Sequence, residues 1–271
     1  MAKLIRPAYG FLTGANEAHL EKFRTVERAV DTIFELAEFV PADQLYVNTS
    51  DPRLRARRTP GAVSYDRGGA GEWAVSAARS NLSGTDFKLT HAGQTFAIHS
   101  QLLGQHHLGP LAAAAHLASR LGLNDEQIER GLAATAPYDH RLQPLTDAHG
   151  VITLDDSYNG NPDGVKAVID FLAGLTGHRR WYVTPGLVEM GDRTAEVHRQ
   201  IGAWLATAGI EHVILIRNSV TPAINDGLQA GHYQGQVHWF ENGPQAINAL
   251  PNLTVAGDVV LLQNDWPDQY A

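Results

Sequence analysis

The sequence predicts an α/β protein with an irregular first half and a doubly wound, Rossmann-like second half. Two observations carry this. From Val151 onward, short apolar runs alternate with amphipathic stretches at helical spacing, the pattern of parallel βαβ units. Before it, helical stretches are mixed with a region, residues 73–100, whose alternation and Ser-Gly-Thr and His-Ala-Gly-Gln turn signals suggest antiparallel hairpins.

In chain order, residues 9–13 read as a strand. Residues 25–39 read as a helix with Val26, Ala29, Val30, Ile33, Phe34 and Ala37 on one face, and residues 44–48 as a strand. After the hairpins, residues 108–121 form an alanine-rich helix whose small side chains permit close packing, and Asn124 caps a second helix over 126–134. Residues 137–141 are the expected boundary, giving domains 1–136 and 137–271. In the second, residues 151–154, 181–183, 212–217, 236–241 and 258–262 are strands. Helices fall at 162–172, with Asn161 as N-cap before Pro162, then at 194–208, 221–230 and 244–250.

Composition limits the function classes. Twenty-one Lys and Arg against 29 Asp and Glu leave a net charge of −8, without the concentrated basic face that nucleic acid requires. There is no cysteine, which removes disulfides, thiolate catalysis and cysteine zinc sites. No apolar run approaches the ~20 residues of a membrane span, and the first residues lack the apolar core of a secretory leader. The expectation is a cytoplasmic protein that contacts neither membrane nor nucleic acid. Thirteen histidines occur without an HExxH or comparable ligand pattern.

Three segments are candidates for chemistry. Asp155 and Asp156 end the first strand of the parallel series, and Ser157, Tyr158, Asn159, Gly160 and Asn161 lead into a helix. Ligands of such sheets bind at that edge, beside helix N-termini, although Asp and Asn at such turns also serve merely as backbone caps. Residues 184–192, including Glu189, form the equivalent loop after the next strand, with His198 six residues on. Near the start, His19 stands between Glu17 and Glu21, just after a strand.

DDSYNGNP at 155–162 resembles the signature that opens the C-terminal domain of Mur ligases, most like the branch that adds D-alanyl-D-alanine to a UDP-muramoyl-tripeptide. Four further segments agree in the family's order. RPAYGFLTGANEAHLEKF (6–23) resembles a strand and HLE segment, and GQHHLGPLAAAAHLASRLGL (104–123) the GxHNxxNxxAA helix. HRLQPL (140–145) resembles the boundary motif, and VEMGDRTAEVHRQIG (188–202) the ELG…H segment. The similarity implies a partial or rearranged Mur ligase central domain followed by the C-terminal domain.

The resemblance also implies ATP-dependent amide bond formation in peptidoglycan precursor synthesis, with ATP and Mg²⁺ as cofactors and an acyl phosphate on the path. Position by position, His19 matches a metal-holding His. Asp31 or Ile33 falls where the family carries a carbamylated Lys, and Asp31 would bring a carboxylate to that metal on a shorter arm. Arg141, Asp156, Tyr158, Asn159 and His106 match the nucleotide site. Asp155, Asn161, Glu189 and His198 match motif positions without an assigned catalytic role. The chain departs from the pattern as well. None of its four lysines, Lys3, Lys22, Lys88 and Lys166, follows Gly or precedes Ser or Thr, so no Walker-type phosphate loop is present. His107 and Pro110 replace two Asn of the helix motif, and residues 262–267 replace a KGS-like segment.

Two functions follow as expectations. One is a ligase that is incomplete or inactive as a lone chain and is completed by another carrying the phosphate loop. The other is a non-catalytic protein that binds a nucleotide, a UDP-muramoyl-peptide-like molecule or a ligase subunit. A cut central sheet would present unpaired backbone groups, so either a rearranged α/β unit or a partner chain covering that edge is expected.

Overall fold

The computed structural model describes residues 2–17 and 20–263. The chain divides into two compact units. One comprises the residues up to Asn16 together with Thr25–Ala136, the other Glu17–Arg24 together with Pro137 onward.

The first unit contains α1 (Ala2–Ile5), β1 (Gly10–Leu12), β2 (Leu45–Asn48), β3 (Val63–Asp66), β4 (Gly69–Ala70), β5 (Trp73–Asn81), β6 (Gly84–His91) and β7 (Gln94–Ser100). They form a seven-stranded sheet in sequential order. β1, β2 and β3 run parallel, and every later pair is antiparallel. The expected hairpins are therefore present, continuous with the parallel strands.

Both faces of β2 are buried. Leu45 and Val47 join a core with Val30, Phe34 and Leu54, whereas Tyr46 joins one with Tyr65, Trp73 and Leu111. Burial on both faces is what parallel strands require, and the period-two alternation of side chains delivers it. The first core receives α3 (Val26–Phe34), capped by the Thr25 hydroxyl, and α4 (Pro52–Arg57), capped by Asp51. The second receives α5 (Leu108–Arg120) and α6 (Asp125–Ala133). Ala112, Ala113 and Ala115 are almost fully buried, the close packing their size allows. Asn124 and Gln127 complete a reciprocal capping box at the start of α6. The helix expected over 25–39 stops at Phe34 and tightens into a 3₁₀ turn over Glu35–Glu38.

The second unit holds α2 (Leu20–Phe23), β8 (Gln143–Thr146), β9 (Ile152–Asp156), α7 (Pro162–Ala173), β10 (Arg180–Thr184), α8 (Thr194–Ala208), β11 (His212–Ile216), α9 (Thr221–Ala230), β12 (Gln236–Phe240), α10 (Gly243–Leu253) and β13 (Val259–Gln263). Its sheet has the order β12-β11-β10-β13-β9-β8. All pairs are parallel except β8 with β9. β13 returns to lie between β9 and β10, which brings the carboxyl ends of these three strands side by side. α8 and α9 approach closely through two glycines. A methyl group on Gly202 would overlap the Ile224 carbonyl, and one on Gly227 the Arg199 carbonyl.

Candidate functional site

At the carboxyl end of β9 the chain builds a compact polar cluster. Asp156 is half-buried; its Oδ1 accepts the Leu142 N–H at 3.1 Å and its Oδ2 accepts from Gln263 Nε2 at 2.6 Å. Burial pushes its carboxyl pKa up, opposed by these two donors and by the Arg141 charge. Asp155 Oδ2 meets His140 Nδ1 at 2.7 Å, and its Oδ1 accepts from the Ser157 backbone and hydroxyl at 3.1 and 2.6 Å. The Tyr158 N–H donates to the His140 carbonyl at 3.3 Å.

These bonds hold residues 140–142 in an unfavourable shape. His140 and Leu142 have φ of 60° and 50°, left-handed values that side chains bearing a Cβ seldom adopt. The strained turn delivers Arg141 outward between them. Its guanidinium lies 4.4 Å from the centre of the Tyr158 ring and donates to the Asn159 carbonyl at 3.0 Å. Tyr158 is 57% exposed, so a charged plane and an aromatic ring face solvent together. Asn161 accepts the Gly164 N–H at 2.9 Å and caps α7, as its place before Pro162 predicts.

The neighbouring loop, 185–193, is pinned by His198, whose side chain is fully buried. Its Nε2 accepts the Leu187 N–H at 2.9 Å, and its Nδ1 lies 2.6 Å from the Thr194 carbonyl. This pattern assigns the proton to Nδ1 and leaves a neutral ring. Burial, the larger effect, lowers its pKa against the two hydrogen bonds. Gly186 (φ 91°) passes so close to the ring that a Cβ there would strike Nε2. Glu189 lies in the left-handed region at φ 60° and pairs with Lys22 at 3.6 Å. Arg193 binds Glu17 at 2.8 Å.

Arg141, Asp155, Asp156, Tyr158, Asn159 and Asn161 are thus brought together. Glu189 and His198 occupy the adjoining loop and helix of the same unit. His106 belongs to the first unit, in the 3₁₀ turn that opens α5, with its ring 4.0 Å from that of His107. Burial drives the two pKa values down to about 3 and about 4. Asp31, on α3, is ion-paired with Arg57. His19 lies outside the described residues. Sequence reasoning missed His140 and Gln263. Gln263 also leaves its buried Oε1 without a hydrogen-bond partner among the described residues. In the sequence it falls one residue past the expected strand 258–262, within the 262–267 segment that stands out only for replacing a KGS-like motif.

With this geometry in place, comparison with known proteins is decisive. Residues 1–118 match the Mur ligase middle domain, and residues 140–263 match the Mur ligase glutamate ligase domain. The chain belongs to the Mur ligase family. A UDP-N-acetylmuramoyl-tripeptide–D-alanyl-D-alanine ligase of Mycobacterium tuberculosis is 27% identical over 227 residues, 80% of this chain and 44% of that enzyme. The ligase of that name from Escherichia coli is 26% identical over 224 residues, 79% of this chain and 48% of that enzyme. The chain thus spans about half the length of the Mur ligases it matches. Two solved structures share the fold. MurF from Acinetobacter baumannii has a TM-score of 0.81 at 19% identity, covering 97% of this chain and 58% of that one. MurF from Thermotoga maritima in complex with ADP has 0.79 at 21% identity, covering 97% and 60%. Among the described residues no helix is long and apolar enough to cross a membrane.

Proposed function

We propose that this chain carries part of the nucleotide site of an ATP-dependent amide ligase acting on UDP-muramoyl-peptide precursors. The observation that carries the reading is the solvent-facing pair of Arg141 and Tyr158, held by a strained turn at the carboxyl edge of a parallel sheet. Such a pair suits a ligand with a flat ring and phosphate charge. Arg141 offers its guanidinium to the anionic part and Tyr158 its ring face to the planar part, with the Asn159 carbonyl holding the guanidinium in place. Asp155 and Asp156 act behind them by holding the turn. When bound, ATP supplies the phosphoryl group that activates a carboxylate toward an amine.

Mg²⁺ takes one or two carboxylates together with the phosphates of its nucleotide, so the described residues need not supply a full ligand set. Among them no three His, Asp or Glu side chains converge on a point that would hold an ion, and Asp31 is engaged by Arg57. No step is assigned to a metal. With no Gly-Lys-Ser/Thr stretch in the 271 residues, the lysine that grips the phosphates belongs to sequence outside them. In this reading the lone chain binds nucleotide without turning it over. β1, a three-residue strand at the sheet edge, is where further sequence or a partner chain would pair.

The test is calorimetry with ADP and ATP, beside phosphate release in the presence of Mg²⁺, UDP-muramoyl-tripeptide and D-alanyl-D-alanine. Binding that weakens at least tenfold in Arg141→Ala, without phosphate release, supports the proposal. Absence of nucleotide binding sinks it, and sustained phosphate release overturns the statement about the lone chain.

A further inference from the structure

Away from the Asp155–Asp156 cluster, at the start of β11 and the middle of β12, two histidines face each other. His212 pairs in register with Gln236, and Ile214 with His238, so the two histidines are diagonal neighbours on one face of the sheet. His212 Nδ1 and His238 Nε2 lie 3.2 Å apart, with the rings tilted by 36°. His212 is fixed from behind by stacking on Trp181, ring centres 3.8 Å apart, and the Trp181 N–H is itself tied to Asp258 at 3.0 Å.

We propose that His212 and His238 form a two-imidazole site for a divalent transition-metal ion of the Zn²⁺, Ni²⁺ or Cu²⁺ class, clipping β11 to the edge strand β12. The separation of the two nitrogens is the first argument. With metal–nitrogen bonds of about 2.0–2.1 Å, two imidazole nitrogens on one ion sit roughly 2.9 Å apart in octahedral and about 3.4 Å apart in tetrahedral geometry. The observed separation falls between them; to share an ion, each ring turns its lone pair off the line joining the two nitrogens, and the proton of the present hydrogen bond moves to the outer nitrogen of its ring.

The surrounding charge is the second argument. Arg179, whose charge reaches His212, binds Asp258 at 2.6 Å, and Arg180 binds Glu211 at 2.7 Å; both carboxylates also act on the His212 ring. The two carboxylates offset the two guanidiniums, so an incoming dication meets no uncompensated positive charge. Burial lowers the pKa of both rings, which keeps them in the neutral form that a metal needs. The third argument is mechanical. Among the described residues β12 pairs only with β11, so an ion shared between them binds the folded chain alone and stabilises it by mass action. No third His, Asp or Glu among the described residues completes the set, and water fills the remaining positions.

The experiment titrates Zn²⁺ into the tag-free full chain by calorimetry, with Mg²⁺ as the control for hard, oxygen-seeking cations. Imidazole ¹⁵N resonances of the wild-type chain are followed in parallel. The expected result is one Zn²⁺ per chain, no Mg²⁺ heat, and shifts at His212 Nδ1 and His238 Nε2. Affinity should fall at least tenfold in His212→Ala and in His238→Ala, and a Zn²⁺-dependent rise in Tm should be lost with it. The ¹⁵N shifts decide the matter should either variant fail to fold. Zn²⁺ binding that leaves those two nitrogens unmoved, or no stoichiometric binding, overturns the proposal and leaves the pair a neutral hydrogen bond.

Discussion

His198 accepts the backbone N–H of Leu187 at 2.9 Å, and so a buried side chain on α8 fixes the loop that follows β10. Because the ring also donates to Thr194, its removal strands a donor and an acceptor inside the protein and leaves a cavity. His198→Ala should therefore cost about 2–4 kcal/mol, measured by urea denaturation. His198→Gln, which keeps an acceptor and a donor, should cost less. Equal losses in the two variants would deny the hydrogen bonds their role.

The same ring contributes to acid sensitivity. A histidine whose pKa is lowered on folding stabilises the protein fully above the unfolded value of about 6.5 and loses that contribution as pH falls below it. His198, His106 (to about 3) and His107 (to about 4) all act in this direction. Stability should decline steadily from about pH 6.5 downward, and His107→Gln should make the decline shallower. A denaturation series from pH 7 to pH 4 measures the slope.

Asp156 acts with the opposite sign. Its folded pKa is raised by burial, so its contribution is fully present below the unfolded value of about 3.9 and is lost as pH rises through the folded value. Asp156→Asn should gain on the wild type over that interval and hold a constant difference above it. Urea midpoints of both proteins between pH 3.5 and pH 7 provide the comparison.

Arg141 and Tyr158 lie largely in solvent, so Tyr158→Ala should leave Tm within a degree or two while weakening ADP binding several-fold. A large fall in Tm would mean that the pair serves the fold.

Close helix packing supplies a control of a different kind. Gly202→Ala or Gly227→Ala forces α8 and α9 apart, and each should cost about 1–3 kcal/mol despite the higher helix propensity of alanine. A stabilising effect would show that the helices separate freely.

The parallel half of the fold was legible because its strands are buried on both faces. Val213, Ile214 and Leu215 are wholly inaccessible, and such runs announce themselves in sequence. The elements that escaped notice lack that signal. β4 has two residues, α4 buries only Leu54 among its arginines, and β8 is a four-residue edge strand carrying Pro144 and an exposed Leu145. In the site, the local turn from Asp155 to Asn161 could be read directly. The partnership of Gln263 with Asp156 could not, because it spans 107 positions and arises from the register of β13 on β9. The strained φ at His140 and Leu142 likewise depends on hydrogen bonds formed only after the sheet assembles.

Residues Glu17–Arg24 belong to the second unit although 112 residues of the first, Thr25–Ala136, separate them from Pro137. Leu20 packs beside Gly191, Glu17 holds Arg193 and Lys22 reaches Glu189. A fragment beginning at Pro137 would therefore present an empty socket rather than a finished surface. The two halves are interleaved pieces, and neither can be excised with one cut. A synthetic peptide covering residues 17–24 would be the natural plug for that socket, and restoring the fragment with it would be a case of complementation.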